Sequence, residues 1–548
     1  MKNIKIYLAA TFLMICSSCA DFLVEDHPTQ VTDKQFWKTM NECENAFQQC
    51  KSWFWGSYSG GDVSQVLLEG ATDNMYFQSN FEQRIVNLGN GSLIPPTPAN
   101  RPSGWEATIE IWGTYYNKIR KVNRFLQHVD GAYFSDESER TRMKAEARVW
   151  RAWYHIRLLR WYGRHDGIPI VTEPLLPSEI YQRRNTVEEC LTFINTELDA
   201  IIDSKDLPFI WDEGRRDRMS KSIALALKMD INLQFKKYDL AQDAASQLIE
   251  SGQFELYYSG ASDDEPGKNY RDLFKYEGEQ NKERILFTRD GLNDIWFRVM
   301  GTPLGGQGVA AISKSLVDEY ETIDGQTIQS LSSEERIKYE QNALYKPRDP
   351  RLYASVMVPG DKTSITNYEY KPFDESGSDY VGKTGASRSG YMMKKYIDEN
   401  DRATGYGSLD FMLYRYAEVL LVYVECLVET GKWNDPLVEK YINMIRKRAG
   451  MPDMDKSVYN TEEKVRELYR RERRVELAFE GKRYDDIRRW GIGSKVMNGP
   501  IQGAWNPSTS EFVNIEYRNC IFPKYDSWPL LQQEVTANEN IHQPLGWD

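Results

Sequence analysis

The sequence predicts a mainly α fold, in which a tetratricopeptide-like helical scaffold carries long irregular loops and small β-hairpins. Two segments, 221–252 and 415–450, share one plan: a helix, a short turn with an aromatic residue, and a second helix. A third segment, 144–163, repeats apolar residues at intervals of three and four, with arginines among them. Residues 255–410 are rich in Gly, Pro, Asp and Tyr, which is typical of ordered loops laid across a scaffold.

The N-terminus predicts an export signal that ends at a cysteine. Lys2 and Lys5 precede an apolar run of about ten residues, whereas a helix needs roughly 20 to cross a bilayer. Small residues then precede Cys19, an arrangement that resembles a bacterial lipobox, with Cys16 where Leu is more usual. We expect residues 1–18 to be a lipoprotein signal peptide and Cys19 to be the lipid anchor. An ordinary secretory signal with an incidental cysteine is the alternative.

Composition describes an acidic chain with a sizeable core. Of its 548 residues, 41% are hydrophobic, and the formal net charge is −12 with no long basic block. Non-specific nucleic-acid affinity depends on neutralising phosphates, so we expect no nucleic-acid partner. No polar linker is long enough to divide the chain, and residues 19–548 are therefore predicted to form one domain.

Cysteine usage argues against a metal site or a disulfide framework. Cys43 and Cys50 lie seven residues apart in a predicted helix, about 10 Å along its axis, which is too far to bridge. The chain has five histidines and no Cys/His pair at zinc spacing, and the acidic run 262–265 lacks EF-hand spacing. We expect no metal and no cofactor.

Local signals place the next elements along the chain. Thr186 and Glu189 have the spacing of a capping box, which starts a helix over 183–202. The runs 284–290 and 352–360 are β-like, and they account for the predicted hairpins.

The run 468–491, "LYRRERRVELAFEGKRYDDIRRWG", is the most informative part of the sequence. Glu472, Glu476, Glu480 and Arg473 are spaced to pair along a helix by contacts three and four residues apart, so we expect ion pairs along the helix, each worth a few tenths of a kcal/mol when exposed. Gly481 is predicted to end this helix.

This run closely resembles the signature of SusD/RagB-family proteins. Three other segments resemble the same family in the same order, namely 148–171, 414–431 and 527–547, and so does the lipidated start. The resemblance covers essentially the whole mature chain. One departure is the pair Leu530–Leu531, where Ile-Pro is common, and it touches no proposed site.

The resemblance implies a SusD-like fold built on four tetratricopeptide-like helix pairs, with irregular loops that form a ligand surface. It also implies a lipoprotein on the outer membrane, lid-like over a SusC-like TonB-dependent transporter. Acidic residues that follow Cys19 loosely resemble the stretch that sends such proteins to the cell surface. Members of the family capture glycans, or less often peptides, for import, and they are binding proteins and not enzymes.

Motifs for catalysis or nucleotide binding receive little support from the sequence. "GSDYVGKT" (377–384) satisfies the phosphate-loop pattern, but no strand pattern precedes it and no helix start follows it. The chain has no G-x-S-x-G elbow, and no carboxylate pair is singled out for glycoside cleavage. We therefore expect a protein without enzymatic activity.

Glycan binding requires exposed ring faces and hydrogen-bonding side chains in loops. By position, three loop segments match the loops that hold ligand aromatics in glycan-binding relatives, which is what the resemblance implies. Trp105 could equally be the apolar start of the next helix. The residues expected to bind the ligand are Trp296, Trp105, Asn293, Arg298, Tyr76 and Phe77.

Three functions remain open from the sequence. The leading one is capture of an oligosaccharide or polysaccharide for delivery to the transporter. The alternative is a RagB-type member that captures peptides, and a third is an architectural protein without a ligand.

Overall fold

The computed structural model describes residues 36–51, 65–78, 83–97, 111–260, 265–362 and 368–547. The signal peptide, Cys19 and Trp105 lie outside these residues.

The α-helices of the described residues, in chain order, are α1 (Met40–Cys50), α2 (Gln65–Leu68), α3 (Gln83–Asn90), α4 (Trp112–His128), α5 (Glu137–Tyr162), α6 (Val187–Ile202), α7 (Lys221–Gln234), α8 (Tyr238–Glu250), α9 (Lys268–Asp272), α10 (Ile295–Val299), α11 (Lys314–Val317), α12 (Ser333–Gln341), α13 (Pro350–Ser355), α14 (Tyr416–Glu429), α15 (Pro436–Arg448), α16 (Glu462–Glu476), α17 (Arg483–Trp490), α18 (Gly493–Val496) and α19 (Gln532–Ala537).

Strands are few and short, and each of the sheets that the structure describes has two strands. β1 pairs with β3, β2 with β6, β4 with β5, and β7 with β8, all antiparallel. Their bounds are β1 (Met75–Phe77), β2 (Arg284–Thr288), β3 (Ala310–Ile312), β4 (Val356–Met357), β5 (Met392–Met393), β6 (Phe411–Arg415), β7 (Asn498–Asn506) and β8 (Glu511–Asn519).

The long helices stack in sequence as antiparallel neighbours, which confirms the predicted mainly α, tetratricopeptide-like scaffold. α4 packs on α5, α5 on α6, α6 on α7, and α7 on α8. α8 then packs on α14, although more than 150 residues separate them, and α14 contacts both α15 and α16. The loop-rich segment between α8 and α14 therefore leaves the stack and returns to it.

Both predicted helix–turn–helix units are present with the expected turns. Lys236, with φ +58°, lies between α7 and α8, and Gly252, with φ +61°, follows α8. Gly431 and Gly450, at φ +80° and +78°, follow α14 and α15 in the same way. The capping box at Thr186 is also confirmed, since its side chain accepts a hydrogen bond from the backbone of α6.

α5 differs from the one-sided helix that its sequence predicts. From Ala145 to Tyr162 all but one of its residues are buried, because α4, α6 and α7 surround it. Arg151, Arg157 and Arg160 lie inside the protein with their guanidinium groups in contact with partners, as expected, whereas Arg148 is half-buried. The Arg160 guanidinium contacts Asp230 at 2.6 Å and also pairs with Asp485, whereas that of Arg157 lies 4.0 Å from the ring centre of Trp161.

The predicted ion pairs of Arg473 and Glu476 within α16 are wrong, because the partners of these two side chains come from other elements. Arg466 and Glu462 do pair within the helix, at 2.6 Å. Glu476 is fully buried, and its carboxylate contacts Arg415 at 2.8 Å, Arg351 at 3.1 Å and Arg448. Burial alone would raise the pKa of Glu476, but these three guanidinium groups lower it below its usual range. α16 also ends at Glu476, before Gly481, and a buried turn follows it.

Glu480, in that turn, extends the same buried network. Its carboxylate accepts hydrogen bonds from Arg415 at 2.8 Å and from the Lys395 ammonium at 2.7 Å. Arg415 ends β6, so the network joins the scaffold to the loop-rich segment that carries Lys395. The run 468–491 therefore holds the loops on the helices.

The predicted hairpins are partly wrong. The run 284–290 does contain β2, but its partner β6 lies more than 120 residues away. The run 352–360 begins inside α13 and contains only the two-residue β4. The longest local hairpin is β7–β8, outside the loop-rich segment, where no hairpin is predicted.

Candidate functional site

Two of the predicted ligand residues are buried, which corrects the expectation that their rings face a ligand. Trp296 is 1% exposed, and its indole N–H donates to the carbonyl oxygen of Leu304 at 2.8 Å. Phe77 is fully buried in β1. In each case the neighbouring residue, Phe297 or Tyr76, points outward instead, because successive side chains of a strand or a short helix turn to different sides.

Backbone hydrogen bonds join the two segments that contain the other predicted residues, and they join one of these segments to the loop around Gly407. The carbonyl oxygen of Arg298 accepts from Val309 N at 3.0 Å, and Val309 O accepts from Gln78 N at 2.9 Å. On the other side, Asn293 O accepts from Gly407 N at 2.7 Å. The loops that contain Tyr76, Asn293 and Arg298 therefore meet. Together with neighbouring side chains that are half-buried or exposed they form a loop surface, defined by Tyr76, Gln78, Asn293, Phe297, Arg298, Gln307, Arg388 and Tyr406.

The side chain of Gln78 fixes one edge of the loop surface. Its amide N–H groups donate to the carbonyl oxygens of Gly308 and Ala386, both at 2.6 Å, and its carbonyl accepts from Arg388 N at 2.9 Å. Ser387 and Ser389 on either side are buried, while Arg388 is exposed. The guanidinium of Arg388 is therefore presented to solvent from a well-anchored backbone, beside Tyr76.

An aromatic pair forms the centre of the loop surface. The rings of Phe297 and Tyr406 are stacked, with centroids 5.8 Å apart and an interplanar angle of 21°. Phe297 N donates to Gly405 O at 3.2 Å, which joins the two loops. Tyr406 is 55% exposed, so its ring offers an apolar face supported from beneath.

Hydrogen-bond acceptors without a donor lie next to this pair. Within the described chain, the side-chain oxygen Oδ1 of Asn293 and that of Asp294 are buried and have no hydrogen-bond partner. The other carboxylate oxygen of Asp294 accepts from Arg298 Nε at 3.1 Å. Burial raises the pKa of Asp294, and the nearby Arg298 opposes this. These two oxygens have almost no solvent-accessible area, so they lie beneath the surface that a ligand would contact.

Asp379 lies next to Gly301, which follows the loop-surface residue Arg298 in the chain, and its carboxyl group is buried. Its side chain is buried, its Oδ1 has no hydrogen-bond partner among the described residues, and a Cβ on Gly301 would lie 3.5 Å from that oxygen. Burial raises the pKa of Asp379 to about 6, although the backbone of Lys371 opposes this by hydrogen bonding.

We expect Asp379→Asn to stabilise the protein above pH 6. Because the pKa of Asp379 is higher in the folded than in the unfolded protein, folding favours the protonated carboxyl. The free energy of unfolding of the wild type therefore falls as the pH rises from about 4 through 6. The loss is on the order of 3 kcal/mol in free energy of unfolding. Urea unfolding at pH 4, 5, 6 and 7 measures it, with the exposed Glu375→Gln as a control. Identical pH slopes for wild type and Asp379→Asn would contradict the expectation.

The phosphate-loop pattern at 377–384 has a different role. It lies in a series of turns, with neither a strand before it nor a helix after it. The Lys383 ammonium donates to the backbone carbonyls of Glu375 at 2.9 Å and Gly377 at 2.8 Å, so it closes its own loop. The geometry for cradling a phosphate is therefore lacking.

Other chemistry is sparse in the part of the chain that the structure describes. That part contains no group of three or more His, Cys, Asp and Glu side chains arranged to hold a metal ion. Among the same residues no helix is both long enough and apolar enough to cross a membrane. The cysteines there, Cys43, Cys50, Cys190, Cys426 and Cys520, are free and buried.

Sequence reasoning missed Gln78, Phe297, Gln307, Arg388 and Tyr406. The signal for Tyr406 is visible in retrospect, since a tyrosine between Gly405 and Gly407 in a polar loop is poorly placed to be buried. Nothing local marks Gln78 or Arg388, because their roles depend on pairing between β1 and the loop before β5. The site prediction for Trp105 lies outside the described residues.

The loop surface presents ring faces, amides and a guanidinium from a helical-repeat scaffold. This is the arrangement of a ligand-binding protein. Comparison with known families agrees: residues 253–547 match the model of the SusD family, and residues 71–232 match one described as starch-binding associating with outer membrane. The chain belongs to the SusD family.

Individual relatives are similar along nearly their whole length. SusD-like protein P38 of Formosa agariphila is 24% identical, over 92% of this chain and 94% of that protein. A SusD-like carbohydrate-binding protein of Bacteroides fragilis superposes with a TM-score of 0.75 at 27% identity, over 92% of this chain and all of that one. A second SusD-like protein of Bacteroides fragilis, at 24% identity, has a TM-score of 0.77 and shares the fold over 94% of this chain and 99% of its own.

Proposed function

We propose that this protein binds an oligosaccharide or polysaccharide on the loop surface, without altering it. The observation that carries the proposal is the stacked Phe297–Tyr406 pair with its exposed outer ring, on a loop surface that also carries the half-buried polar side chains of Asn293 and Arg298. A sugar ring has an apolar C–H face that can lie on an aromatic ring, and its hydroxyl groups donate hydrogen bonds. The similarity to a carbohydrate-binding relative supports the same ligand class.

The location and partner form the second part of the proposal. Residues 1–18 direct export, Cys19 carries the lipid, and residues 19–548 act as one domain at the outer membrane, exposed on the cell surface. The bound glycan passes to a SusC-like TonB-dependent transporter, with which the protein associates. The name of the second family model, which mentions the outer membrane, supports this location. Palmitate labelling tests the anchor: we expect the wild type to incorporate the label and Cys19→Ala not to.

Peptide capture is the second candidate, and Arg388 is the observation that favours it. An exposed guanidinium on a fixed backbone is suited to a peptide carboxylate. Affinity electrophoresis against a panel of polysaccharides, with calorimetry against mixed peptides, separates the two. Retardation by at least one polysaccharide supports glycan capture, and binding of peptides alone would favour the second candidate.

We expect Tyr406→Ala to weaken glycan binding at least tenfold, about 1.4 kcal/mol, with the fold intact. Tyr406 is 55% exposed, so its removal costs the core little, but it removes the outer ring of the stacked pair. Calorimetry with the polysaccharide found above measures the change. Tyr258→Ala is a matched control, because Tyr258 is 53% exposed outside the loop surface. Wild-type affinity in Tyr406→Ala would contradict the assignment.

A further inference from the structure

A recess apart from the loop surface lies against the outer side of α16. It encloses about 1130 Å³ between α16, the loop 324–332, the loop 453–459 and the first half of β7. Ligand sites in proteins commonly occupy about 300–1,000 Å³. The recess therefore has room for an extended ligand of several sugar units.

Charged groups on the floor of the recess neutralise one another. Arg474 lies 3.0 Å from Asp73 and 2.8 Å from Glu319, and Arg483 lies 2.8 Å from the same aspartate. Burial raises the pKa of Asp73, but Arg474 and Arg483 outweigh it and hold that pKa at about 2. An ionic ligand that reaches this floor would have to break one of these pairs, at a cost that its own contacts must recover. The floor therefore favours a neutral ligand.

The walls supply groups that both donate and accept hydrogen bonds. Gln326 and Gln329 are exposed on the loop 324–332, and Asn498 is exposed at the start of β7. Ser330 donates its hydroxyl to Thr327 O at 2.7 Å, which leaves its oxygen able to accept. Side-chain amides and hydroxyls match the mixed donor and acceptor character of a sugar hydroxyl.

Two half-buried aromatic rings border the recess, and hydrogen bonds fix both of them. The indole N–H of Trp490 donates to Glu425 at 2.8 Å, and the Tyr459 hydroxyl accepts from Arg471 at 2.6 Å. Rings held in this way lose little conformational entropy when a ligand binds, which favours affinity.

The hairpin β7–β8 joins this recess to the loop surface. Residues 498–501 line the recess, and three residues further on Ala504 N donates to Ser389 O at 2.7 Å, next to Arg388. Both places therefore border the same hairpin, within reach of a single long polymer.

We propose that this recess, the α16 recess, is a second binding site for neutral oligosaccharide, used by the same polymer that the loop surface holds. The inference rests on the proposed function. Two linked contacts raise the overall affinity for a long chain far above that for a short one, because the second binding event becomes intramolecular.

The test uses named probes: maltohexaose, xylohexaose, cellohexaose, laminarihexaose and mannohexaose, with the corresponding soluble polymers. Calorimetry is carried out on wild type and on Tyr406→Ala/Arg388→Ala, which disables the loop surface. Each form also receives Gln329→Trp, which fills the α16 recess, or Gln127→Trp, a control on the exposed side of α4. Gln326→Ala/Gln329→Ala removes the wall amides without adding bulk, in case the tryptophan disturbs folding.

We expect the disabled form to keep weak binding of a hexasaccharide, and Gln329→Trp to abolish that binding while Gln127→Trp does not. In otherwise wild-type protein, Gln329→Trp should weaken polymer binding at least tenfold. If wild type binds a probe but filling the recess changes nothing, this inference is overturned and the proposed function stands. If wild type binds none of the probes, the proposed function fails, and this inference fails with it.

Discussion

Glu476→Gln is expected to lower the free energy of unfolding by about 3–5 kcal/mol. Glu476 is fully buried and its carboxylate contacts Arg351, Arg415 and Arg448, so the amide leaves three buried guanidinium groups short of one negative charge. Because its folded pKa lies below the ordinary value of 4.5, this contribution is present above pH 4.5 and is lost as the pH falls.

Urea unfolding at pH 7 followed by circular dichroism measures the effect. Glu463→Gln is the matched control, because Glu463 lies in the same helix but is exposed. The control should stay within about 0.5 kcal/mol of wild type, as surface substitutions usually do. Equal loss in both variants would show that the buried network does not hold the loops on the scaffold.

Trp296→Ala is expected to cost a similar amount, about 3–5 kcal/mol, because it empties a core position. Trp296 is 1% exposed, and its indole hydrogen bond to Leu304 is lost as well. Thermal and urea unfolding measure the loss. The prediction separates a core residue from a ligand residue, which the sequence could not do.

Trp296→Phe gives the sharper comparison. It retains most of the apolar volume, so it should fold and bind glycan as wild type does, whereas Tyr406→Ala should fold normally and bind poorly. Loss of glycan binding in a well-folded Trp296→Phe would return Trp296 to the ligand site.

Helices and turns could be predicted because their signals are local. The capping box at Thr186 and the glycines after α8, α14 and α15 act within a few residues of themselves, so the sequence places them well. The family resemblance then supplied the tetratricopeptide-like scaffold of paired helices, and the stack confirms it.

The errors share a physical cause, which is dependence on distant partners. Glu476 has helix neighbours at the right spacing, yet its partners come from α13, β6 and α15, which no local pattern reveals. α5 has a one-sided apolar pattern, but the charged heads on its other side find buried partners such as Asp230. In the site, adjacent residues Trp296 and Phe297 are equally aromatic, and only the tertiary structure decides which of them faces outward.

Hydrogen–deuterium exchange with a bound glycan tests the central claim most directly. At saturating concentrations of a polysaccharide that binds wild type, we predict slower amide exchange in 293–308, 385–391 and 404–408, with the sugar recovered intact. Unchanged exchange in all three segments at full occupancy, or recovery of a cleaved sugar, would contradict the account.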